Sequence, residues 1–122
     1  MDCGPSCLRM IAKFYGKNFS LQTIRERSFL TREGVSFLGM SDAAESIGMR
    51  SVGARVSYLQ LSEEVPLPAI VHWKEEHFVV VYAVKRGKVF VADPAYGLIT
   101  YQETEFLKGW CGHTDSTKAK GL

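Results

Sequence analysis

The sequence predicts an α+β fold in which N-terminal helices pack on a C-terminal antiparallel β-sheet. Up to residue 48 the apolar residues recur largely at helical spacing, whereas after residue 50 they form short, β-branched-rich runs. Most connections between these runs are only two or three residues long. A parallel crossover needs a dozen or more residues, so strands joined this closely must be antiparallel. Helices followed by such a sheet are the α+β pattern.

Three helices are predicted in the first half of the chain. The first covers about residues 4–15, and Pro5 suits its first turn because the missing N–H would have no intrahelical partner there. Ser20 is a candidate N-cap for a second, short helix. Ser36 can cap a third helix, which ends at Gly48.

Short strands separated by turn residues follow. The pattern predicts strands at about residues 50–58, 69–73, 77–84, 89–93 and 98–101. Turns are expected at residues 75–76, 86–88 and 94–97. A last short helix is expected at about residues 102–110, and the segment 112–122, which contains Ser, Thr, Lys and Gly, is expected to be loosely ordered.

Length and composition indicate one domain, residues 1–122, with a single core. The net charge of +2 is too small to favour nucleic acid or an anionic membrane as a partner. No apolar run approaches the roughly 18–20 residues that span a bilayer, and the N-terminus has no secretory signal pattern. Three cysteines, an odd number, fit free thiols in a reducing compartment, so we expect a cytosolic location.

Cys3 is the candidate nucleophile. It lies just before the first turn of the first helix, where the helix dipole and unpaired backbone N–H groups favour the nucleophilic thiolate. Cys7, one turn later on the same helical side, is interpreted as a small core residue. Zinc binding by both thiols with Cys111 and His113 is disfavoured because the spacing is not that of a standard zinc finger. No metal or cofactor is predicted.

A cysteine nucleophile needs a base and a third group that orients the base. His77 opens one predicted strand, and Asp93 closes the next. In a hairpin these two ends meet, but pairing counted outward from Gly87 places Asp93 opposite about residue 81. Residue 81 is four positions from His77. A β-bulge, a twist of the strands or a side-chain contact across the sheet must therefore bring Asp93 to His77. By order and role, Cys3, His77 and Asp93 match a papain-like arrangement.

Each of these residues also has a simpler interpretation. Cys3 would be an ordinary buried residue, His77 a surface histidine beside two glutamates, and Asp93, which precedes a proline, a turn residue that binds local N–H groups. His72 competes with His77 as the base, although its apolar surroundings favour a structural or pocket-lining role. His113, in the polar tail, is the weakest candidate.

Three segments together resemble the bacteriocin-processing cysteine peptidases, which are papain-like: residues 2–8 (DCGPSCL), 77–81 (HFVVV) and 92–97 (ADPAYG). Trp73 and residues 106–110 (FLKGW) also resemble this family, so the resemblance covers nearly all of the chain. These peptidases form the N-terminal cytosolic domain of ABC exporters and cut leader peptides after a double glycine.

The resemblance implies a role for each residue. Cys3 would attack the carbonyl of the second leader glycine, His77 would take the thiol proton and later protonate the leaving amine, and Asp93 would orient His77. A narrow cleft that admits only glycine would explain the specificity. The implied partners are the leader peptide and the transmembrane and nucleotide-binding domains of a parent exporter. The implied location is the cytoplasmic face of the inner membrane.

One departure from the family concerns the start of the chain. The family places a glutamine several residues before the cysteine, where its amide helps to hold the oxyanion, whereas here Met1 lies two residues before Cys3. Loss of one such donor costs ~2.7–4 kcal/mol of transition-state stabilisation. Members of the family also continue beyond the position of Leu122 into a final apolar strand. We therefore expect a chain that is truncated at both ends and is weakly active or inactive. The alternatives are a leader-binding module without catalysis and another papain-like amide hydrolase.

Overall fold

The computed structural model describes residues 3–27, 37–74 and 77–119. Over these residues the elements follow the order α1 (Cys3–Phe14), α2 (Leu21–Arg27), α3 (Phe37–Ser46), β1 (Met49–Arg55), α4 (Tyr58–Glu63), β2 (Ala69–Trp73), β3 (His77–Lys85), β4 (Lys88–Asp93), β5 (Gly97–Gln102), α5 (Glu103–Gly109) and β6 (Trp110–Ala119). The predicted cap Ser36 and the predicted turn at residues 75–76 lie outside the described residues.

The strands form one antiparallel sheet in the order β1-β6-β2-β3-β4-β5. Together with the helices that precede it, this sheet confirms the predicted α+β class. The position of β6 differs from the expectation of a loosely ordered tail. Residues up to Ala119 form a strand that pairs with β1 on one side and with β2 on the other, so backbone hydrogen bonds hold them from both neighbours.

The sheet is covered on both faces because successive side chains of a strand point to opposite sides. On one face, Phe78 and Val80 of β3 pack in a cluster with α1, α2 and α3. On the other face, Val79 and Val81 pack in a second cluster with α4, α5 and the ring of Trp73. The core therefore has two layers, with β3 between them.

Helix α4 replaces the end of a predicted strand. The strand predicted to continue to residue 58 ends at Arg55, and Ser57 then caps a helix. The Ser57 hydroxyl accepts a hydrogen bond from the backbone N–H of Gln60, and the Gln60 side chain accepts one from the Ser57 N–H. This is a capping box, which the sequence already carries as Ser-x-x-Gln. In the described part of the chain, no helix is long and apolar enough to cross a membrane.

Candidate active site

Cys3 is the first residue of α1, one position earlier than the predicted start of the helix. It is 9% exposed, and Gly4 and Pro5 are buried beside it. The N–H groups of a first helical turn have no intrahelical acceptor and form the positive end of the helix dipole. A negative charge that develops at Cys3 is therefore stabilised by its position in the helix.

The turn between β3 and β4 differs from the three-residue turn predicted at residues 86–88. Lys85 pairs with Lys88, which leaves only Arg86 and Gly87 in the turn. Both have positive φ angles, 52° and 74°, as a type I′ hairpin turn requires. Pairing counted outward from Gly87 placed Asp93 opposite residue 81. With the two-residue turn alone, the partner of Asp93 is one residue nearer to the start of β3.

A β-bulge completes the adjustment. It lies between Val81 and Ala83 and shifts the register by one further residue. When the register is continued to the end of β4, Asp93 falls opposite Val79, two residues from His77. Residues offset by two across a strand pair are diagonal neighbours on one face of the sheet. The gap left by the sequence analysis is thus closed by a tighter turn, a bulge and a diagonal contact.

His77 and Asp93 form a direct pair. The imidazole Nε2 lies 2.8 Å from Asp93 Oδ1, in a part of the fold where Asp93 is 5% exposed. The backbone N–H of Ala95 donates to the same oxygen at 2.8 Å. Asp93 therefore makes both the turn hydrogen bond and the histidine contact that the sequence analysis treated as alternatives. Because Asp93 engages Nε2, the other ring nitrogen, Nδ1, is the atom that can exchange a proton with a nucleophile.

Cys7 links this pair to the helix. Burial raises the pKa of the fully buried Cys7 thiol well above its ordinary value, and the charges of Cys3 and Asp93 raise it further. Cys3, Cys7 and Phe78 belong to one buried cluster, and Ala92 packs against it, so the start of α1 packs with the residues next to His77 and Asp93. The predicted role of Cys7 as a core residue is confirmed by its burial.

Asp93 also acts on the opposite side of the sheet. Burial raises the pKa of the Tyr101 hydroxyl, and the charges of Asp93 and then of Glu105 add to this effect. Tyr101 packs against the second core cluster, whereas Cys7 belongs to the first. The charge of Asp93, at the end of β4, therefore influences one group in each of the two layers.

The competing histidines have other surroundings. His72 is half-buried and stacks on Phe78 with ring centroids 5.1 Å apart, as the structural interpretation predicts. His113 is opposite Arg55 in the β1–β6 pairing, and its side chain lies outside the described part of the structure. Among the described residues, no group of three or more His, Cys, Asp or Glu side chains is placed to hold a metal ion.

An apolar groove of about 360 Å³, which was not predicted from the sequence, lies beside Asp93. Two of its large apolar side chains, Phe14 and Leu98, are 64% and 76% exposed. The groove is lined by Met10, Phe14, Pro68, Val80, Tyr82, Ala92, Asp93, Gly97 and Leu98. The groove lies between the exposed side of α1 and the end of β4, which carries Asp93. Helical or strand periodicity in the sequence does not show that these two elements are neighbours.

Comparison with known proteins decides the family. The sequence model of the peptidase C39 family matches residues 1–118. The chain belongs to the peptidase C39 family. This is a family of cysteine peptidases, so the predicted enzyme class and the resemblance stated from the motifs are confirmed.

Several curated relatives of this C39 domain are much longer proteins. The lactococcin-G-processing and transport ATP-binding protein LagD of Lactococcus lactis subsp. lactis is 37% identical over 116 residues, which cover 91% of this chain and 16% of LagD. The colicin V secretion/processing ATP-binding protein CvaB of Escherichia coli is 34% identical, with the same coverage of 91% and 16%. The probable functional amyloid protease FapD of Pseudomonas aeruginosa is 36% identical over 91% of this chain and 54% of FapD. The chain thus spans about one sixth of the first two relatives and about half of FapD.

Solved structures of C39 domains have the same fold. The double glycine motif protease from an AMS/PCAT transporter, solved in complex with the leader peptide, superposes with a TM-score of 0.92 at 29% identity, covering 98% of this chain and 85% of that one. The peptidase domain of Streptococcus ComA, a bifunctional ABC transporter involved in quorum sensing, gives a TM-score of 0.88 at 27% identity, with coverages of 98% and 92%. The helix-then-sheet architecture is therefore that of C39 peptidase domains.

Proposed function

We propose that this chain is a cysteine endopeptidase domain that cuts leader peptides from secreted peptides after a Gly-Gly-type site. The observation that carries the proposal is the 2.8 Å His77–Asp93 pair, which lies in the same region as the helix start at Cys3, in a chain of the C39 family. Nucleophile, base and orienting carboxylate are the three groups that thiol-dependent peptide cleavage requires.

The chemistry follows from these positions. Nδ1 of His77 takes the thiol proton of Cys3, and the sulfur attacks the carbonyl carbon of the second glycine. The tetrahedral intermediate collapses when the protonated imidazole gives its proton to the leaving amine, which leaves an acyl-enzyme. Water then attacks the thioester, with His77 as the base, and the leader is released with a free carboxylate. Asp93 holds Nε2–H throughout and stabilises the imidazolium.

The oxyanion has a stabilising group in the same helix. The backbone N–H of Cys3 lies at the first position of α1, where it has no intrahelical acceptor. Directed at the substrate carbonyl, it would donate to the oxygen as negative charge develops there. The positive end of the α1 dipole acts in the same direction. Cys3 would thus supply both the attacking sulfur and one oxyanion donor.

The substrate class rests on the relatives and on the groove. LagD and CvaB are named as processing and transport proteins, and the structurally similar transporter protease was solved with a leader peptide. The groove beside Asp93 exposes Phe14 and Leu98, which suit the apolar face of an amphipathic leader. We assign the upstream part of the leader to this groove and the two glycines to the adjoining cleft at Cys3.

The proposed parent protein is an ABC exporter, with transmembrane and nucleotide-binding domains as partners and with this domain on the cytoplasmic side of the membrane. The similarity to LagD and CvaB supports this assignment. The similarity to FapD, at 36% identity, favours a second candidate, a C39 protease in a shorter protein that acts on an amyloid-related substrate. The two candidates share the proposed chemistry and differ in substrate and partner.

The decisive experiment measures cleavage of a synthetic leader peptide that ends in Gly-Gly and continues into a short cargo sequence. We expect weak but measurable cleavage after the second glycine, because one oxyanion donor of the family is missing from the sequence. We expect no cleavage by Cys3→Ala and unchanged cleavage by the control Cys111→Ala, which alters an exposed thiol. Asp93→Ala should lower kcat by about 10²-fold or more, because the His77 imidazole then loses the carboxylate that orients its ring and stabilises the imidazolium.

Three outcomes separate the proposal from its alternatives. Tight leader binding without cleavage, with equal affinity in Cys3→Ala, would indicate a docking module. Equal cleavage of peptides in which valine replaces either glycine would indicate a general amide hydrolase. Cleavage that survives the loss of the Cys3 thiol would overturn the proposed mechanism.

A further inference from the structure

Trp73 is the cross-strand neighbour of the proposed base. In the β2–β3 pairing it lies directly opposite His77, at the end of β2. Directly opposite residues of an antiparallel pair share a face of the sheet, with Cβ atoms about 4.5–5.5 Å apart. The position of the indole therefore affects the space in which the imidazole lies.

The indole is held in a buried aromatic cluster. Its ring centroid lies 5.2 Å from that of Tyr101 and 5.4 Å from that of Phe106. Phe106 is fully buried and packs against Trp110 at 5.3 Å. Tyr101 belongs to the strand beyond β4 and is itself affected by the charge of Asp93. Through Trp73, the cluster thus reaches the strand position directly opposite His77.

Gly109 is the residue that admits the indole. A Cβ atom at this position would overlap the six-membered ring of Trp73. The φ angle of Gly109 is not in the left-handed region, so space rather than backbone conformation requires glycine here. The Gly109 carbonyl also accepts a hydrogen bond of 2.8 Å from the backbone N–H of Lys74, the residue that follows Trp73. The end of α5 is therefore fixed against the end of β2.

We propose that the close contact of Gly109 with Trp73 positions His77 for proton transfer, so that both are positioning residues of the peptidase. This inference rests on the proposed function. A methyl group at Gly109 displaces the indole, and because Tyr101 and Phe106 occupy the space behind it, the end of β2 moves with the ring. His77, paired to that end, then loses its alignment with the thiol while its Asp93 contact and the leader groove stay in place.

The test uses Gly109→Ala, Trp73→Phe, the double variant, and Gly53→Ala as the matched control. Phenylalanine lacks the outer indole ring that the new Cβ would meet. Gly53 is exposed on the edge strand β1, and a Cβ there meets nothing within 4 Å. The measurements are kcat and KM on the Gly-Gly peptide, the NMR chemical shifts of the His77 ring protons, which the indole ring current influences, and the melting temperature.

We expect Gly109→Ala to lower kcat about 10- to 100-fold with KM unchanged, because a small misplacement of a reacting group has this effect. The His77 ring resonances should move in Gly109→Ala, which keeps the indole, but not in Gly53→Ala. The double variant should equal Trp73→Phe alone in kcat and in His77 shifts, since a Cβ at position 109 costs nothing once the outer ring is gone. Such non-additivity identifies a contact rather than two separate losses of stability.

The positioning role is overturned if the His77 resonances of Gly109→Ala match those of the unmodified chain, or if the two single effects simply multiply in the double variant. If Gly109→Ala does not fold, Trp73→Phe decides, since an unchanged kcat in that variant also overturns the inference. If the unmodified chain cleaves no peptide, the proposed function fails. The NMR shifts still show whether Gly109 and Trp73 set the position of His77.

Discussion

Two thiols one turn apart on the same helix have different chemical environments. Cys3 begins α1 at the positive end of the helix dipole, whereas Cys7 is fully buried and its pKa is raised by burial first, then by Cys3 and Asp93. Cys7 therefore stays protonated at neutral pH and brings no second negative charge to the region in which Cys3 would ionise. The neutral, buried thiol of Cys7 therefore does not oppose ionisation of the candidate nucleophile Cys3.

The raised pKa of Cys7 predicts a pH dependence of stability. Above about pH 8.5, the ordinary thiol pKa, the unfolded chain releases a proton that the folded chain retains, so the free energy of unfolding falls as pH rises. One such group contributes a slope of at most about 1.4 kcal/mol per pH unit. We expect the free energy of unfolding, measured with urea between about pH 8 and 10, to fall less steeply in Cys7→Ala than in the unmodified chain. The same pH dependence of the free energy of unfolding in both proteins would contradict the raised pKa of Cys7.

At the scale of single residues, the sequence identified candidates but not their geometry. Chemistry and position in the strand pattern singled out Cys3, His77 and Asp93, and the family resemblance implied their roles. The sequence could not show that one carboxylate oxygen accepts from the Ala95 N–H and contacts His77 at the same time. That arrangement depends on the exact path of the chain after β4, which no residue type specifies alone.

Among the elements, the β3–β4 hairpin positions the candidate site. Its two-residue turn and its bulge each shift the pairing by one residue, and together they bring Asp93 within diagonal reach of His77. The sequence predicted a turn at residues 86–88 but not its length, because Arg86 rarely adopts a positive φ and gave no signal for a type I′ turn. The Ser-x-x-Gln sequence at Ser57 carries a capping-box signal for α4, whereas the prediction for this segment rested only on the strand-like alternation before it.

The hairpin turn gives a stability prediction. Arg86 has φ 52°, a conformation that costs ordinary L-residues ~1–2 kcal/mol and costs asparagine less. We expect Arg86→Asn to raise the free energy of unfolding by about 0.5–1 kcal/mol, part of that cost. The matched control Gly87→Ala should lower it, because an alanine at φ 74° is strained. Urea denaturation checks both changes, and a loss of stability in Arg86→Asn would contradict the turn assignment.

For the whole molecule, local patterns predicted the fold class but not the complete sheet. Helices α1, α2, α3 and α5, the strands β2 to β5 and their antiparallel pairing were predicted from periodicity and short connections, whereas α4 was not. Strand β6 was not, because it pairs with partners far away in sequence: Met49 lies opposite Ala119, and Ile70 opposite Asp115. Such pairings leave no signal in a polar segment whose Thr and Ser residues also suit a loop. The groove was not predicted either, because it lies between α1 and β5, which are far apart in the sequence.

The proposed mechanism requires that Cys3 and His77 act as a pair. The most direct measurement is the rate at which iodoacetamide modifies each cysteine, read by mass spectrometry at about pH 6, where an ordinary thiol is almost entirely protonated. We predict that Cys3 reacts faster than the more exposed Cys111, that buried Cys7 does not react in the folded chain, and that His77→Ala abolishes the advantage of Cys3. Equal rates at Cys3 and Cys111, or an advantage that persists in His77→Ala, would contradict the pairing.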